Sequence, residues 1–379
     1  MKILHVSTPL SWRGGEQQLA YLLEELKEKD VEQVVLCAYG SAVQKYCNDN
    51  EIPTYTFNRK SLRLVPANLI NTICLKEDIS LIHAHDSHGH TAAFISALLF
   101  GNNIPLIVSR RTIFPVGQNW LSKFKYNHAS ISRVICVSEK IKEQISNSIS
   151  DNSKIVTIHS GIDVSRFNKM SEEQIHISEL GKNLSHPFIG NISAITEEKD
   201  YFTFVNTAEE YFRSGNQGTF FIIGDGPYRT QIEEYINEKG LNEKFVFTGF
   251  LKNITNIIKQ LDCLLFTSHT EGLGTSILDA MACKIPVVAT RTGGIPEIVI
   301  HDNTGLLAPV KNAEALAICL QKITSDSSFR RMLTHNAHVH VNNFTKQKMA
   351  MQTYAIYQQV MYEKSLGHEP VFQPSIYTV

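Results

Sequence analysis

One short stretch in the second half of the chain concentrates residue types that bind phosphate and hydroxyl groups. Gly272 and Gly274 leave backbone N–H groups uncovered just before a predicted helix that begins near Thr275. The free N–H groups and the dipole of a helix N-terminus attract anions, above all phosphate. Glu271 precedes this turn and Asp279 follows it, and carboxylates accept hydrogen bonds from hydroxyl groups. The pattern predicts a diphosphate cradle with a hydroxyl-bearing group on either side.

The elements that must position this cradle are predicted as strand, loop, helix, strand, loop, helix across residues 263–297. Cys263–Thr267 and Pro286–Ala289 are short apolar runs, typical of buried parallel strands. Glu271 then lies at the carboxyl end of a strand, where ligands of open α/β sheets bind. The alternative interpretation is two turn glycines between solvated or capping acids. It suits an isolated glycine pair better than this whole string.

Similar strand-like runs recur along the whole chain, separated by amphipathic helical stretches. This alternation indicates βαβ units and doubly wound α/β domains, and 379 residues suit two of them. The predicted strands of the first half are Ile3–Val6, Val34–Cys37, Leu81–His85, Leu106–Val108, Val134–Val137 and Ile155–Ile158. Those of the second half are Phe188–Gly190, Phe220–Gly224, Phe245–Phe247, Cys263–Thr267, Pro286–Ala289 and Gly305–Ala308.

The predicted domain boundary lies in the polar residues 163–186, which contain no strand-like run. We expect an N-terminal domain at 1–164 and a C-terminal domain at 165–344. A final helix follows at about 345–362, for which packing back on the N-terminal domain is one option. The last residues, 363–379, lack periodicity and are predicted to be a loose tail.

Composition excludes several classes of protein. Apolar residues make up 43% of the chain and charged residues 19%, which is a globular mixture. The 37 acidic and 36 basic residues nearly cancel, which argues against a general nucleic-acid binder. The seven cysteines form no C-x-x-C pair, and no apolar run is long enough to span a membrane. With a start too short in its apolar part for a signal peptide, the sequence favours a cytoplasmic protein.

The ordered motifs resemble one known family. Glu271-x7-Asp279 with Gly293-Gly294-Ile295-Pro296-Glu297 is similar to the signature of retaining glycosyltransferase family 4, among the group 1 glycosyltransferases. The resemblance implies the GT-B fold, with two Rossmann-like doubly wound parallel-sheet domains facing a central cleft. Further segments occur in the family's order, namely Gly14-Gly15-Glu16, His83-Ala84-His85-Asp86, Val137-Ser138-Glu139, His159-Ser160-Gly161-Ile162-Asp163, Glu198-Lys199-Asp200, Gly224-Asp225-Gly226-Pro227 and Phe247-Thr248-Gly249.

The family implies that a nucleotide-diphosphate sugar binds mainly to the second domain and the acceptor mainly to the first. Lys199 matches the family's diphosphate lysine, although a lysine in a charged turn is the plainer alternative. Lys199 and Glu271 are the implied catalytic residues, with Glu271 on donor-sugar hydroxyls and Asp279 on the ribose. The remaining implied donor-binding residues are Gly14, Gly15, Gly226, Gly249, Phe250, Leu251, Gly272, Leu273, Gly274 and Thr275.

The sequence also departs from the family pattern. Ala194 stands where relatives usually carry a second diphosphate-binding arginine, and Asp279 stands where they usually have glutamate. A loop that often supplies a histidine near the reacting carbon here carries Arg110 and Arg111, which cannot act as bases. Both arginines suit an anionic acceptor group or the donor phosphate, whereas His85 and Asp86 suit acceptor contacts. In the front-face mechanism proposed for retaining enzymes, a donor phosphate oxygen takes the acceptor proton, so no protein base is assigned.

Neither a metal nor another cofactor is expected. His83 and His85 share a strand face, but such histidines are usually structural. No Asp-x-Asp pair occurs in the chain, so nothing in the sequence points to a divalent cation on the diphosphate.

Charge is unevenly distributed in the first domain. The 52 residues from Ser87 to Ser138 contain five basic and no acidic residues. The same segment contains the apolar and aromatic residues Trp120, Leu121, Phe124 and Tyr126. Such a patch suits an anionic glycan, a lipid diphosphate or the inner face of the membrane. It is equally typical of a basic helix face whose apolar residues belong to the core.

These observations predict a metal-independent retaining hexosyltransferase that moves a sugar to a glycan or lipid-linked acceptor. The resemblance to the family further implies a role in bacterial cell-envelope polysaccharide or lipopolysaccharide synthesis. Two alternatives stay open: a sugar-nucleotide 2-epimerase of GT-B fold, and a non-catalytic sugar-nucleotide-binding subunit. The loop and helix from Glu271 to Asp279 favour transfer, whereas Ala194 and the absent loop histidine favour the binding subunit.

Overall fold

The computed structural model describes residues 1–60, 64–113, 120–167, 176–181, 183–251 and 253–367. It divides into two compact units, the first comprising Met1–Gly161 with the residues from Lys346 onward, and the second Ile162–Thr345. The sequence placed these divisions at 164/165 and 344/345, and residues 368–379 of the expected tail lie outside the described residues. Within the described ranges, no helix combines the length and apolarity needed to cross a membrane.

The first unit is built on a seven-stranded parallel sheet in the order β3-β2-β1-β4-β5-β6-β7. Its strands are β1 (Lys2–Ser7), β2 (Glu32–Ala38), β3 (Thr54–Phe57), β4 (Leu81–Ala84), β5 (Leu106–Arg110), β6 (Ile131–Cys136) and β7 (Ile155–Thr157). Six of these were expected from the sequence. β3 was missed because it is a half-buried edge strand without a continuous apolar run.

Seven α-helices of the described residues pack in this unit. They are α1 (Gly14–Leu26), α2 (Ala42–Asp49), α3 (Leu64–Lys76), α4 (Ser87–Phe100), α5 (Trp120–Tyr126), α6 (Glu139–Ser146) and α14 (Lys346–Ser365). On one face of the sheet, Ile3, Leu81 and Ile107 form a buried cluster with residues of α1 and α14. Side chains two residues further along a strand point to the same face, so His5, His83 and Ser109 continue this row toward the carboxyl edge.

Helix α14 joins the first unit although it follows the second unit in sequence. The buried Lys346 ammonium pairs with Glu24 of α1 at 2.8 Å, and Glu363 accepts a 2.5 Å hydrogen bond from the buried Arg133 of β6. Tyr357 and Val360 fill the apolar cluster under the sheet. These contacts make α14 an integral layer of this unit.

The second unit is built on a six-stranded parallel sheet in the order β10-β9-β8-β11-β12-β13. Its strands are β8 (Phe188–Ile192), β9 (Thr219–Ile223), β10 (Phe245–Gly249), β11 (Cys263–Phe266), β12 (Val287–Thr290) and β13 (Leu306–Ala308). Its α-helices in the described residues are α7 (Tyr201–Arg213), α8 (Arg229–Glu238), α9 (Thr255–Ile258), α10 (Thr275–Ala282), α11 (Ile295–Ile298), α12 (Ala313–Ser325) and α13 (Ser327–His340). Each of its six strands was expected from the sequence.

Both sheets change winding direction next to their first strand. In the first sheet β1 lies between β2 and β4, and in the second sheet β8 lies between β9 and β11. Loops that leave the carboxyl ends of such neighbouring strands diverge and open a crevice in which ligands of doubly wound folds bind. Ligand-binding residues are therefore expected in the loops after β1 and β4 and in those after β8 and β11.

Candidate functional site

The loops after β8 and β11 bring Lys199 and Glu271 together. Lys199 ends a short 3₁₀ turn, Glu197–Lys199, and its ammonium forms an ion pair with Glu271. The ammonium also lies 5.1 Å from the ring centre of Phe266, the last residue of β11. Both side chains are largely buried, so removing either one would leave the other buried without its counter-ion. The pair that the sequence predicted as catalytic is thus preassembled.

Backbone hydrogen bonds tie these two loops to one another. The His269 N–H donates to the Glu198 carbonyl at 3.0 Å. The Thr267 hydroxyl lies 3.1 Å from the carbonyls of both Lys199 and Asp200. Side-chain and main-chain contacts therefore hold the lysine in register with the turn that follows β11.

That turn ends at the N-terminus of α10, as the sequence predicted. Gly274 is the N-cap residue and has φ +97°, a left-handed conformation that strongly favours glycine. Gly272, Leu273 and Gly274 are buried, and Thr275 opens the helix half-buried. The arrangement presents the first N–H groups of α10 without a capping side chain. Such a terminus suits an anion.

Gly226 lies against the loop after β8. A Cβ atom at this position would come 2.3 Å from the Ile195 carbonyl oxygen, so no larger residue fits without backbone movement. The Ile195 N–H donates to the Asp225 carbonyl, and the Ile195 carbonyl accepts from Tyr228. Gly226 therefore lets the loop after β9 pack closely on the residues that flank Ala194.

Asp279 is buried on the first turns of α10 and has a partner that the sequence did not reveal. Its Oδ1 lies 2.7 Å from Nη2 of Arg166, which lies in the 3₁₀ turn Val164–Phe167. Burial raises the pKa of Asp279, and the neighbouring guanidinium opposes this rise. No local motif pairs residues 113 positions apart, so Arg166 was not among the candidates.

The residues expected near the base lie at the end of β10. Gly249 closes the strand, Phe250 is 69% exposed and Leu251 is half-buried. The Arg229 guanidinium stacks 5.4 Å from the ring centre of Phe247 and lies beside Gly249. This arginine was not a candidate from the sequence either; it also forms ion pairs with Asp225, which precedes α8, and with Glu233 of α8.

In the first unit, Gly14 and Gly15 form the first turn of α1, directly after the loop that follows β1. Glu16 is buried, and its carboxylate accepts a 2.9 Å hydrogen bond from the Arg13 N–H. Burial raises the pKa of Glu16, while the Arg111 charge lowers it. The glycine pair thus lies at a helix N-terminus with an acid and an arginine beside it.

The Asp86 carboxylate accepts hydrogen bonds from two segments of the first unit. It caps α4 by accepting from the N–H groups of His88 and Gly89, both at 3.0 Å. It also accepts from the N–H and hydroxyl of Thr8, at 2.8 and 2.7 Å. These four hydrogen bonds tie the loop after β1 to the start of α4.

His85 and the two loop arginines meet at the same carboxyl edge. Arg111 Nη2 lies 3.4 Å from Nδ1 of His85, and Arg110 donates to the Tyr126 hydroxyl at 3.1 Å. Burial lowers the pKa of His85 well below its ordinary value and that of Arg111 to about 10. His85 is therefore neutral at physiological pH, whereas Arg111 keeps its charge.

His85 belongs to a cluster with His5 and His83, whose ligand-type nitrogens lie within 4.8 Å of one another. Such spacing can hold a metal ion, but His83 and His85 also contact groups outside the cluster. His83 contacts Tyr357 at 2.5 Å and Ser109 at 2.8 Å, and His5 Nδ1 contacts His85 Nε2 at 3.0 Å. The adjacent Arg111 cation further disfavours a metal.

The basic stretch predicted between residues 110 and 133 does not form one surface. Residues 114–119 lie outside the described residues. Arg133 is 1% exposed and paired with Glu363, so it contributes no surface charge. On α5, in contrast, Trp120, Leu121 and Phe124 are exposed. The interpretation as a single basic patch is therefore corrected, and a smaller aromatic patch takes its place.

Two doubly wound parallel-sheet units with candidate anion sites at their switch points correspond to the GT-B class of glycosyltransferases. A family model described as "Glycosyltransferase Family 4" matches residues 12–166, and one described as "Glycosyl transferases group 1" matches residues 172–340. Together they cover most of the two units.

Individual relatives agree with this classification. The chain is 25% identical over 317 residues to N-acetyl-alpha-D-glucosaminyl L-malate synthase of Bacillus anthracis, covering 80% of this chain and 81% of that protein. It is 22% identical to UDP-Gal:alpha-D-GlcNAc-diphosphoundecaprenol alpha-1,3-galactosyltransferase of Escherichia coli, covering 91% and 93%. The crystal structure of Anabaena Alr3699/HepE with UDP and glucose matches with a TM-score of 0.80, 19% identity and coverage of 95% and 100%.

The chain belongs to the group 1/family 4-like glycosyltransferases of GT-B fold. The family and fold expected from the sequence are thereby confirmed.

Proposed function

We propose that this glycosyltransferase moves a hexose or related sugar from a nucleotide-diphosphate sugar to a glycan or lipid-linked acceptor with retention of anomeric configuration. The observation that carries the proposal is the Lys199–Glu271 pair beside the uncapped N-terminus of α10. This combination offers a cation and free N–H groups to a leaving diphosphate, together with a carboxylate for sugar hydroxyls.

The donor site follows from the second unit. The N–H groups at residues 272–275 and the Lys199 ammonium neutralise the diphosphate. Arrival of this anion gives Lys199 a second partner and releases Glu271 to accept hydrogen bonds from the donor sugar. Asp279 binds the ribose through the oxygen that faces away from Arg166. The backbone at 249–251 and Gly226 bind the base.

Retention is explained by chemistry on one face of the sugar. The acceptor hydroxyl attacks the anomeric carbon from the side of the departing diphosphate, and a diphosphate oxygen takes its proton. The protein supplies positioning and charge stabilisation in this step. Neither a divalent metal nor another cofactor is part of the proposal.

The acceptor site lies in the first unit, around His85, Asp86, Arg110 and Arg111. The two arginines favour an acceptor with an anionic group, such as a lipid diphosphate. The Escherichia coli relative is named for a diphosphoundecaprenol-linked acceptor, which supports a role in bacterial cell-envelope polysaccharide or lipopolysaccharide synthesis. The Anabaena structure with UDP and glucose supports a UDP-sugar as the first donor to test.

The decisive experiment incubates the protein with a panel of UDP- and GDP-sugars, with and without lipid-linked acceptors. Release of nucleotide together with a glycosylated product supports transfer. The anomeric coupling constant of the product, measured by NMR, distinguishes retention from inversion. Interconversion of sugar nucleotides would instead identify an epimerase, and tight binding without turnover a binding subunit.

A cytoplasmic enzyme with a lipid-linked acceptor would work at the inner face of the membrane, and α5 suits such a surface. Trp120 is 71% exposed, and Leu121 and Phe124 are also exposed, next to the exposed Lys123. Aromatic and apolar residues with lysines are typical of interfacial membrane contacts.

Vesicle sedimentation tests this surface. Exchanging Lys123 and Lys125 for glutamate should weaken binding to vesicles containing anionic lipid. The matched control exchanges Lys140 and Lys142, two lysines of α6, for glutamate and should leave binding unchanged. Equal binding by wild type and the Lys123/Lys125 variant would refute the membrane contact.

A further inference from the structure

The buried histidines of the first unit form a hydrogen-bonded chain with a defined direction. Arg111 Nη2 lies 3.4 Å from His85 Nδ1, and His85 Nε2 lies 3.0 Å from His5 Nδ1. A guanidinium only donates, so Nδ1 of His85 must accept. The single proton of this neutral imidazole is then on Nε2, from which it donates to His5 Nδ1. Each ring is thereby fixed in one tautomer.

The inner end of the chain is anchored in the core. His5 is fully buried on β1 opposite His83 of β4, and burial lowers its pKa to about 3. Its polar neighbour Gln33 is held by a 3.0 Å hydrogen bond from Nε2 to the Leu23 carbonyl of α1. A second branch, from Ser109 through His83 to Tyr357 of α14, braces the adjacent ring. The whole network therefore rests on the sheet and on two packed helices.

The outer end of the chain is the charged group Arg111. Its Cδ would lie 3.6 Å from a Cβ atom placed on Gly15, so the arginine side chain packs over the first turn of α1. Within the described residues Arg111 forms no ion pair with a carboxylate. Glu16 and Asp86 act on its pKa, but their carboxylates are hydrogen-bonded to Arg13 and to the loop after β1. Its guanidinium thus donates to the neutral His85, with the Glu16 and Asp86 carboxylates nearby but not in direct ion pairs with it among the described residues.

We propose that His85, backed by His5, is a positioning residue that fixes the Arg111 guanidinium beside the N-terminus of α1 to bind a diphosphate of the substrate. The inference rests on the proposed function and adds a role for buried histidines that themselves touch no substrate. The diphosphate belongs either to the sugar nucleotide or to a lipid-linked acceptor. Both present the same chemistry to a guanidinium.

A double-mutant cycle tests the proposal with the donor and acceptor identified by the panel. Arg111→Ala should lower kcat/KM about 100-fold and His85→Ala about tenfold. If His85 acts through Arg111, adding His85→Ala to Arg111→Ala should lower kcat/KM less than twofold further. A rise in the KM of the sugar nucleotide assigns the diphosphate to the donor, and a rise in the KM of the acceptor assigns it to the acceptor.

Two further variants separate positioning from folding. His85→Gln offers both an acceptor and a donor and should recover part of the activity lost in His85→Ala. His90→Phe removes another fully buried histidine, which makes no hydrogen bond among the described residues, and its effect should multiply with that of Arg111→Ala. If the wild type is active and the fold losses in kcat/KM of His85→Ala and Arg111→Ala multiply in the double variant, this inference is wrong. That result would leave the proposed function unaffected. Lack of transfer by the wild type across the panel would overturn the proposed function instead.

Discussion

The carboxyl edges of the two sheets hold their cations in different ways. In the second unit, Lys199 and Arg166 each face a carboxylate of the same unit, Glu271 and Asp279 respectively. In the first unit, Arg111 faces the neutral imidazole of His85. A cation with an internal counter-ion is preorganised but must share its charge with a ligand. A cation held by a neutral acceptor has no ion pair to exchange, so it offers more of its charge to an incoming anion.

The largest expected effect, on activity, comes from removing Lys199, the cation of the second unit that pairs with Glu271. Lys199→Ala should lower kcat about 100- to 1,000-fold, because the leaving diphosphate loses a preorganised cation. Steady-state kinetics with saturating donor measures this change. Lys239→Ala is the matched control, since Lys239 forms a comparable partly buried pair with Glu209 at 2.6 Å on the same unit. Equal kinetics for Lys199→Ala and wild type would show that the pair is structural.

Arg166 is the second cation with a counter-ion in its own unit, and removing it measures how much an unpaired buried carboxylate destabilises the protein. Arg166→Met should lower the free energy of unfolding by about 3 kcal/mol, because it leaves Asp279 buried without its guanidinium. An acid whose pKa is higher in the folded than in the unfolded state binds more protons when folded, so stability falls as pH rises above about 4. This fall should be steeper in Arg166→Met than in wild type.

Denaturant unfolding between pH 4 and pH 7 measures both quantities. Adding Asp279→Asn to Arg166→Met removes the unpaired charge and should restore a shallow pH dependence. If Arg166→Met unfolds with the wild-type pH profile, the ion pair does not govern the ionisation of Asp279.

The smallest effect is expected for Asp86 of the first unit, whose carboxylate accepts hydrogen bonds from backbone N–H groups. Asp86→Ala removes the cap of α4 and the link to Thr8, and should lower the free energy of unfolding by about 1–2 kcal/mol. Asp86→Asn keeps one capping oxygen and should lose less. Thermal unfolding compares the two, and an equally large loss in both would indicate that the charge rather than the cap is needed.

The sequence predicted the fold well because the interior strands are continuous apolar runs. Every strand of the second sheet was found in this way, whereas β3 was missed because only Phe57 of its four residues is buried. A half-buried edge strand such as β3 lacks the continuous apolar run that identifies the other strands. The parallel topology then followed from the alternation of strands and helices.

The candidate site was predictable where its residues are neighbours in sequence. The turn from Glu271 to Thr275 is local, and its helix begins where expected. Arg166 and the His5 branch were not found, because their partners lie far away along the chain. Arg133 was misinterpreted for the same reason, since its counter-ion Glu363 is 230 residues away.

The placement of α14 has a consequence for synthesis on the ribosome. The second unit is one continuous segment, Ile162–Thr345, and its native contacts can form as soon as that segment has emerged. The first unit begins to emerge earlier but lacks Tyr357 and the Lys346–Glu24 pair until residues 346–365 have been translated. The half of the molecule made first should therefore reach its native state last.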